Sequence, residues 1–449
     1  MVDRNDNPIF FIPVEDKYLV YLPFKPLAFI ANQAMKEVLT DVHGTHERRG
    51  VQPEAITILE QIGYFSPNRR TLRGVHKTLA ERPTTCVLLL TTACNLQCVY
   101  CYASSGNRTG KVMPVETGKK AIDIACRNAT EQRKDSFTLS IHGGGEPTVV
   151  KKQLFELIRY AGGKALPCKI SLTTNGYLKK TEAEQILDLG ISEVSLSCDG
   201  LPEIQNRQRP AAAGKPSFDR VFETMNAIDE RNIPYGIRLS VMDDSIESLP
   251  ASIDFLCRES RCNVFQVEPV FSHGRAHLKN NYLKNYRAFA SVFTKALEIA
   301  NSHERHLYYS GARPWIVTDQ FCLARDVALI VNHDSELTAC YEVYDREHAL
   351  SDLFFYGRLD ENGALHINEA KQKKLADKIE ARKAQCKAKG CFCYYHCAGD
   401  CPPKAFHDGD SGRNGYSPRC QLNRELTREL LLYYVEKSGS VWHGEKIIR

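Results

Sequence analysis

The chain has 449 residues, which is too long for one compact core and predicts two or three domains. Its apolar content of 43% and charged content of 25% are ordinary for a soluble globular protein, and its net charge of +5 gives little support for a nucleic-acid partner. The seventeen cysteines, an odd and large number, argue against a disulfide framework and favour metal-bound thiols in a reducing cytoplasm. No apolar run approaches the ~20 residues of a membrane helix, and Met1–Pro8 lacks the features of a secretion signal. We therefore expect a cytoplasmic protein without nucleic-acid or membrane partners.

Residues 1–84 form the first predicted domain, a small unit of mixed strand and helix. Its predicted strands and helices are Tyr18–Pro23, Leu27–Ala31, Gln33–Val42 and Pro53–Ile62, followed by a polar connector over 68–83. Asn32 precedes the first helix and is a favoured N-cap residue. Two interpretations stay open: a packing extension of the next domain, or an element that binds a peptide by adding it to a sheet edge.

Residues 85–310 alternate between apolar runs and amphipathic segments. The runs that predict strands are Cys86–Leu90, Phe137–Ile141, Lys169–Leu172, Val194–Ser197, Tyr235–Val241 and Val264–Val267. The segments that predict helices are Val115–Arg133, Lys152–Gly162, Lys180–Leu189, Phe218–Arg231, Ile246–Cys257 and Leu283–Ser302. Strand–helix units in series imply a parallel sheet with right-handed crossovers, wrapped by helices. The residues that carry the chemistry of such a fold follow the C-terminal ends of the strands.

Three cysteines follow the first of these strands, Cys94, Cys98 and Cys101. Three thiol ligands are one short of a closed tetrahedral metal site, and they suit a cubane iron–sulfur cluster with one open iron. The ferredoxin spacing differs, because there a fourth cysteine and a proline follow closely. A structural zinc knuckle and buried cysteines without metal are the alternatives.

Polar loops follow the second, third and fourth predicted strands, at Gly143–Pro147, Thr173–Gly176 and Ser197–Gly200. Consecutive glycines allow a ligand to approach the backbone of the first loop, and Glu146 can accept from an ammonium group. Each loop alone is only a turn signal. Their order, on successive strands directly after the cysteine loop, favours a shared ligand site.

The CxxxCxxC spacing with Tyr100 before the last cysteine, followed by GGEP, TNG and SxDG loops, resembles the radical S-adenosylmethionine (AdoMet) enzymes. The resemblance implies a partial (β/α)6 barrel and a 4Fe–4S cluster on Cys94, Cys98 and Cys101, with AdoMet chelating the open iron. One electron from the cluster would cleave AdoMet to methionine and a 5′-deoxyadenosyl radical, which abstracts hydrogen from an unactivated carbon. A non-enzymatic zinc or iron–sulfur binding protein is the alternative from a different class.

The same resemblance assigns the AdoMet contacts. They are Tyr100 near the adenine, Gly144, Gly145 and Glu146 at the amino group, Thr174, Asn175, Ser197 and Asp199 near the methionine and ribose, and Arg209 at the carboxylate. Arg207 is an equally placed competitor for Arg209, and solvated surface charge is the alternative for either arginine.

Residues 311–420 form a third region with eight cysteines. The spacing Cys391-x5-Cys397-x3-Cys401 resembles the SPASM extension of radical AdoMet enzymes, which carries auxiliary 4Fe–4S clusters, usually two. The resemblance assigns one cluster to Cys386, Cys391, Cys397 and Cys420, and the other to Cys322, Cys340 and Cys401. The three-thiol set lacks a clear fourth ligand, which leaves an open iron or Cys393. Zinc ribbons are the alternative, and residues 421–449 are expected to add a helix, Leu422–Val435, packed on the barrel.

Enzymes with a SPASM extension mostly act on peptides or proteins. The resemblance therefore implies a maturase that oxidises a side chain of a ribosomally made peptide, with a cross-link as the expected product. Its implied partners are a peptide or protein substrate with a leader sequence, which the first domain could bind as a winged-helix element, and ferredoxin or flavodoxin as electron donor. The alternative within the class is a sulfatase maturase that forms formylglycine. Those enzymes have an aspartate after the cysteine matching Cys340, whereas Tyr341 and Glu342 follow here; both are candidate catalytic residues, as is Glu268.

Overall fold

The computed structural model describes residues 7–45, 52–72, 82–106, 110–322, 328–407 and 417–445. The start of the chain and residues 73–81 of the predicted connector lie outside these ranges. All seventeen cysteines lie within these ranges, and none of them forms a disulfide there. No helix of the described ranges has the length and apolar character needed to cross a membrane.

The first unit is a four-stranded antiparallel sheet with two helices packed against it. Its elements are β1 Phe10–Val14, β2 Lys17–Leu22, β3 Leu27–Ala31, α1 Gln33–Thr45 and α2 Pro53–Gln61. Asn32 Oδ1 accepts from Met35 N at 2.9 Å, which confirms the predicted cap. The fourth strand, Val441–Trp442, comes from the far end of the chain and pairs with β3. The sequence predicts neither that strand, which has two residues, nor β1, whose Pro13 suits only an edge position.

The predicted strand–helix alternation is confirmed. The strands are β4 Thr85–Leu89, β5 Phe137–His142, β6 Cys168–Thr174, β7 Glu193–Ser197, β8 Tyr235–Val241 and β9 Val264–Pro269. They pair in parallel in chain order. Along β8, burial alternates from residue to residue, as expected for a strand with one face under helices and the other in the barrel interior.

Six of the helices that follow these strands agree with the predicted segments to within a few residues, and two are not predicted. The helices are α3 Val115–Glu131, α4 Lys151–Gly162, α5 Lys180–Leu187, α6 Pro202–Gln208, α7 Phe218–Glu230, α8 Leu249–Glu259, α9 Gly274–Lys279 and α10 Tyr286–Ser302, with short 3-10 helices at Pro147–Val149, Ala212–Gly214 and Asp243–Ser248. Buried apolar residues recur every three or four positions, for example Ala121, Ile122 and Ala125 in α3. The short helices α6 and α9, which the sequence does not predict, lie in loops that follow β7 and β9.

The sheet extends beyond the predicted strands. Strand β10, His306–Tyr308, pairs in parallel with β9, and β11, Ala328–Val331, pairs in parallel with β4. Strands β12 Glu336–Thr338, β13 Phe355–Leu359 and β14 Leu365–Ile367 continue it in antiparallel pairing, to eleven strands within the described ranges. The chain is therefore an α/β fold with an open, mainly parallel sheet, consistent with a partial barrel.

The last part of the chain is mostly helical. Its elements are α11 Ser351–Phe354, α12 Glu369–Ala388, α13 Tyr394–Cys397, α14 Pro402–His407, α15 Pro418–Lys437 and β15 Val441–Trp442. Helix α15 contains the predicted terminal helix and packs on α10 of the barrel and on β3 of the first unit. Several of the cysteines of this region lie at or near helix ends, with Cys386 near the end of α12 and Cys420 in the first turn of α15.

Candidate active site

A cavity of about 210 Å³ lies where the barrel strands end. The predicted site residues that line it are Cys94, Cys98, Tyr100, Cys101, Gly144, Gly145, Glu146, Thr174, Asn175, Ser197, Arg209, Glu268 and Glu342. Asp199 is buried behind Tyr100, whose hydroxyl donates to Asp199 Oδ2 at 2.6 Å. The fold thus brings together loops that follow several different strands.

The cysteine loop is held from both sides by residues distant in sequence. On one side, its backbone N–H groups donate to carbonyl oxygens of segment 208–210 at 2.7 and 2.9 Å. On the other side, Arg275 N donates to Cys101 O at 3.0 Å, and the Arg275 guanidinium donates to Cys98 O and Ser105 O. Arg275 is buried, so this support is shielded from water. The sequence does not predict this role of Arg275. The only signal in the sequence is that Arg275 follows the last predicted strand of the series.

Two thiols of this loop ionise less readily than an exposed thiol. Burial raises the pKa of Cys94 to about 12 and that of Cys98 to about 11, the latter against the opposing effect of Arg209. A buried thiol ionises readily only beside positive charge, which a bound metal supplies. Within the described ranges, no three His, Cys, Asp or Glu side chains converge as ligands of one ion. Cysteines that bind a cubane cluster attach to different irons and need no common point.

The loop after β5 requires its glycines. A Cβ atom at Gly145 would lie 2.0 Å from the carbonyl oxygen of Ala93. Gly144 has a φ of +108°, and a Cβ there would lie 2.7 Å from the Tyr344 ring. A side chain at Gly145 would therefore push this loop away from the backbone that leads into the cysteine loop, and a side chain at Gly144 would collide with Tyr344.

Glu146, which follows these glycines, is buried and ties the β5 loop to the β6 loop. Its Oε1 accepts from Thr148 N at 3.1 Å, Thr148 Oγ1 at 2.8 Å and Thr174 Oγ1 at 2.7 Å. Its Oε2 accepts from Asn175 N at 2.7 Å. Burial raises the pKa of Glu146, and these hydrogen bonds oppose the rise. Oε2 keeps acceptor capacity for a further donor, such as an ammonium group.

The two arginines left open by the sequence lie in different surroundings. The Arg207 side chain is 50% exposed and lies 3.5 Å from Asp244. Arg209 is buried and lines the cavity, with Nη1 3.7 Å from Asp199 Oδ1. Arg209 Nε has no hydrogen-bond partner among the described residues. An anionic group bound in the cavity would supply one, which fits a ligand with a carboxylate.

A second cavity, of about 370 Å³, adjoins the first. The lining residues that both cavities share are Tyr102, His142, Arg238, Glu268, Glu342 and Lys404, and we call this set the junction. The second cavity is also lined by Cys322, Cys340 and Cys401, the three-thiol set of the sequence. Burial raises the pKa of Cys401 to about 12. These thiols therefore border the same space as the candidate catalytic residues.

The junction holds ionised acids beside bases. Glu342 and Lys404 form an ion pair at 3.2 Å. Burial alone would raise the pKa of Glu268 and of Glu342, but Arg238 and Lys404 outweigh it, and both pKa values lie below the ordinary one. The sequence does not predict roles for Arg238 or Lys404. Arg238 could have been suspected, because it alternates with the buried residues of β8 and so faces the barrel interior.

His142 and Tyr341 form a stacked pair at the edge of the junction. Their ring centroids are 4.6 Å apart with an interplanar angle of 27°. Burial lowers the pKa of His142 to about 4, so the imidazole is neutral near pH 7. Its Nδ1 accepts from Gly143 N at 2.8 Å, which leaves the ring proton on Nε2. Tyr341 borders the second cavity and is not among the residues that line the first.

The four-thiol set, Cys386, Cys391, Cys397 and Cys420, lies outside both cavities. Polar groups from α12 and α15 contact three of its sulfurs: Arg382 Nη2 lies 3.2 Å from Cys420, Asn423 Nδ2 lies 3.3 Å from Cys397, and Arg424 Nη1 lies 3.9 Å from Cys391. Each of these contacts places a positive or hydrogen-bonding group beside a sulfur.

Cys393 lies beside the four-thiol set. Its thiol donates a hydrogen bond to Cys391 and is the largest cause that lowers the pKa of Cys391 to about 6. Cys393 Sγ also lies 3.6 Å from Asn423 O. It is not among the residues that line the second cavity, where the three-thiol set lies.

Comparison with known proteins agrees with this geometry. Residues 88–256 match the Radical SAM superfamily. The Fe-coproporphyrin III synthase of Methanosarcina barkeri is 31% identical over 285 residues, which are 62% of this chain and 67% of that protein. The sporulation killing factor maturation protein SkfB of Bacillus subtilis is 24% identical over 321 residues, 69% of each chain. A Methanocaldococcus jannaschii protein is 35% identical, but the match spans 57% of its length.

Solved structures show the same fold. The structure of anSMEcpe with bound AdoMet and Cp18Cys peptide matches with a TM-score of 0.57 at 18% identity, over 79% of this chain and 99% of that one. A likeness at this identity concerns the fold alone. Together with the match over residues 88–256 and the relative that is 31% identical, it identifies the family. The chain belongs to the radical SAM superfamily, whose members use AdoMet and a 4Fe–4S cluster.

Proposed function

We propose that this chain is a radical AdoMet enzyme that oxidises a side chain of a peptide, with a cross-link as the expected product. The observation that carries the proposal is the meeting of two thiol-lined cavities at one charged junction. A substrate carbon at the junction would lie between the site of hydrogen abstraction and an electron acceptor. A protein that merely bound zinc or a cluster would need neither the AdoMet-type loops nor the junction.

The first cavity supplies the cofactor site in this proposal. Cys94, Cys98 and Cys101 would hold the 4Fe–4S cluster, while Glu146 and Arg209 would face the amino and carboxylate groups of AdoMet. When bound, these cofactors supply the 5′-deoxyadenosyl radical that abstracts a hydrogen atom. The protein positions the two reactants and excludes water, since Cys98, Glu146 and Arg209 are all buried.

The second cavity would complete the oxidation. A substrate radical must still lose one electron and one proton to become a closed-shell product. Glu268 and Glu342 are the candidate proton acceptors, because both line the junction and both are held ionised. Cys322, Cys340 and Cys401 would hold an auxiliary cluster, which would supply an electron acceptor beside the junction, and the four-thiol set would hold a second auxiliary cluster.

Several features favour a peptide among the possible substrates. The names of the relatives cover different chemistries, since one is an Fe-coproporphyrin III synthase and another is a killing factor maturation protein. The cysteine-rich region favours the peptide-modifying class of radical AdoMet enzymes, because the spacing of its cysteines resembles the SPASM extension of that class. The edge of the N-terminal sheet would be the place for a leader sequence to add as a strand. A ferredoxin or flavodoxin would supply electrons.

Formylglycine formation is the second candidate. Glu342 lies one position later than the aspartate of sulfatase maturases, yet it lines the junction and is held ionised. Tyr341 occupies the aspartate position, and the pKa of its hydroxyl is raised by burial, so it is a poor base. Because Tyr341 replaces the aspartate of sulfatase maturases, peptide side-chain oxidation without formylglycine formation is the first candidate.

Anaerobic co-expression with any short peptide that is encoded beside this chain tests the proposal. The peptide should lose two hydrogens, about 2 Da, with one 5′-deoxyadenosine formed per event. Mass spectrometry of the peptide, with and without the enzyme, measures this change. An unchanged mass with one deuterium gained from solvent would mean epimerisation, and an aldehyde in place of a protein cysteine would mean sulfatase maturation.

Glu146→Gln is expected to weaken AdoMet binding and to leave cluster content near wild type. The substitution replaces a charge-assisted bond to an ammonium group, worth roughly 1.5–3 kcal/mol, by a neutral one. Titration calorimetry of the reconstituted protein measures the affinity. Thr148→Val is the matched control, because Thr148 donates to Glu146 without lining the cavity. An equal loss of affinity in both variants would mean that Glu146 only supports the loop.

A further inference from the structure

Arg419 is a buried cation whose hydrogen bonds are incomplete. Its side chain is 1% exposed, and its Nε donates to Asp400 Oδ1 at 2.9 Å. Its two terminal amino groups, Nη1 and Nη2, are also buried, and neither has a hydrogen-bond partner among the described residues. A buried N–H group without an acceptor costs free energy, and more so in a charged group. We therefore expect the protein with its cofactors bound to contain, near Arg419, a hydrogen-bond acceptor that the described residues do not supply.

The guanidinium is nevertheless firmly placed. Its central carbon lies 4.6 Å from the Phe271 ring centroid, 5.4 Å from that of Tyr309 and 5.7 Å from that of Phe321. Aromatic faces attract a cation but do not replace hydrogen-bond acceptors. The incomplete bonding is thus a property of a fixed group, and not of a side chain free to turn towards solvent.

The missing acceptor has an evident location. Arg419 lines the second cavity together with Cys322, Cys340 and Cys401. Asp400 does not complete its bonding, because Asp400 accepts from Nε and reaches neither terminal amino group. Thiolate and sulfide sulfurs of an iron–sulfur cluster are anionic acceptors of N–H groups. A cluster on these three thiols would bring such acceptors into the cavity that Arg419 lines.

We propose that Arg419 donates hydrogen bonds to the cluster held by Cys322, Cys340 and Cys401 and raises its reduction potential. The inference rests on the proposed function, which assigns a cluster to those thiols. Donors and positive charge beside the sulfurs stabilise the reduced, more negative cluster more than the oxidised one. Arg419 is a positioning residue that makes this cluster a better acceptor for the electron of the substrate radical.

The four-thiol set has arginines of its own. Arg382 and Arg424, which contact Cys420 and Cys391, do not line the second cavity. Asp400 is shared, since its Oδ1 lies 3.4 Å from Asn423 Nδ2 and its Oδ2 lies 3.4 Å from Ser417 Oγ. Each cluster would therefore have separate cationic donors beside a common buried acid, and the potentials of the two can be changed independently.

Redox titration followed by electron paramagnetic resonance tests the inference. The full chain is reconstituted in a Cys94, Cys98 and Cys101→Ala background, so that only auxiliary clusters contribute signals. Arg419→Gln should move the midpoint potential of one cluster to more negative values and leave the other in place. Arg419→Lys, which keeps the charge, should give a smaller shift. Arg382→Gln is the control and should move the other signal. Asp400→Asn, which removes a negative charge, should shift potentials in the positive direction.

The outcomes separate this inference from the proposed function. A wild-type chain that binds only about four irons would overturn both, because no auxiliary cluster would exist. Auxiliary signals whose potentials are unchanged in both Arg419 variants would overturn the inference alone. So would a loss of iron in Arg419→Gln with a wild-type potential in Arg419→Lys, since Arg419 would then have a structural role. Unchanged potentials, together with a raised KM for the peptide when Arg419→Gln is made in the chain that keeps Cys94, Cys98 and Cys101, would mean that Arg419 binds a substrate carboxylate instead.

Discussion

Replacing Cys94, Cys98 and Cys101 together by alanine is expected to abolish AdoMet cleavage and to remove about four of the roughly twelve irons of the reconstituted chain. Without these thiols there is neither an electron donor beside AdoMet nor an open iron to chelate it. The other two thiol sets lie outside this loop and should keep their iron. Iron analysis and chromatography of 5′-deoxyadenosine after dithionite reduction measure the two effects.

The matched control replaces three cysteines that line neither cavity, Cys126, Cys168 and Cys257. This variant should retain wild-type iron content and AdoMet cleavage, because none of these thiols lies near a candidate ligand set. Zinc at one or two ions per chain with little iron would contradict the cluster assignment, and so would AdoMet cleavage that survives the loss of Cys94, Cys98 and Cys101.

Much of the fold can be predicted from the sequence because its signals are local. The parallel strands from β4 to β9 carry apolar residues in short runs or at every second position, and the helices between them carry apolar residues at helical spacing. Strands β10 and β11 have three and four residues, too few for a recognisable period. Tertiary packing decides their parallel pairing with β9 and β4, and no local sequence pattern predicts it.

The residues of the candidate site also fall into two groups, those that a local sequence signal predicts and those that it does not. The cysteine and glycine loops can be predicted because each is a short motif after a strand. Arg275 and Lys404 cannot be predicted in this way. Neither residue is part of a motif, and only the folded chain brings it to the site. Arg207 and Arg209 are equivalent in sequence, and only the burial of Arg209 distinguishes them.

Replacing Cys340 and Cys401 by alanine is expected to uncouple the reaction. AdoMet cleavage should continue, because Cys94, Cys98 and Cys101 remain, but the yield of oxidised peptide per 5′-deoxyadenosine should fall at least about tenfold, as is usual when support for a metal site is lost. The substrate radical would form without an acceptor for its second electron. Paired measurement of 5′-deoxyadenosine and of the modified peptide by mass spectrometry gives this ratio.

Cys393→Ala is the informative comparison for this uncoupling. Cys393 donates to Cys391 and does not line the second cavity, so we expect its removal to leave the three-thiol cluster and the product ratio near wild type. If Cys393→Ala removes iron and lowers the ratio as strongly as the Cys340 and Cys401 change, Cys393 is the missing fourth ligand of the cluster on the three-thiol set. If loss of Cys340 and Cys401 leaves the ratio unchanged, the electron leaves the substrate by a route that does not pass through the second cavity. In that case the auxiliary thiols have a structural role, and the oxidant must be sought in the first cavity.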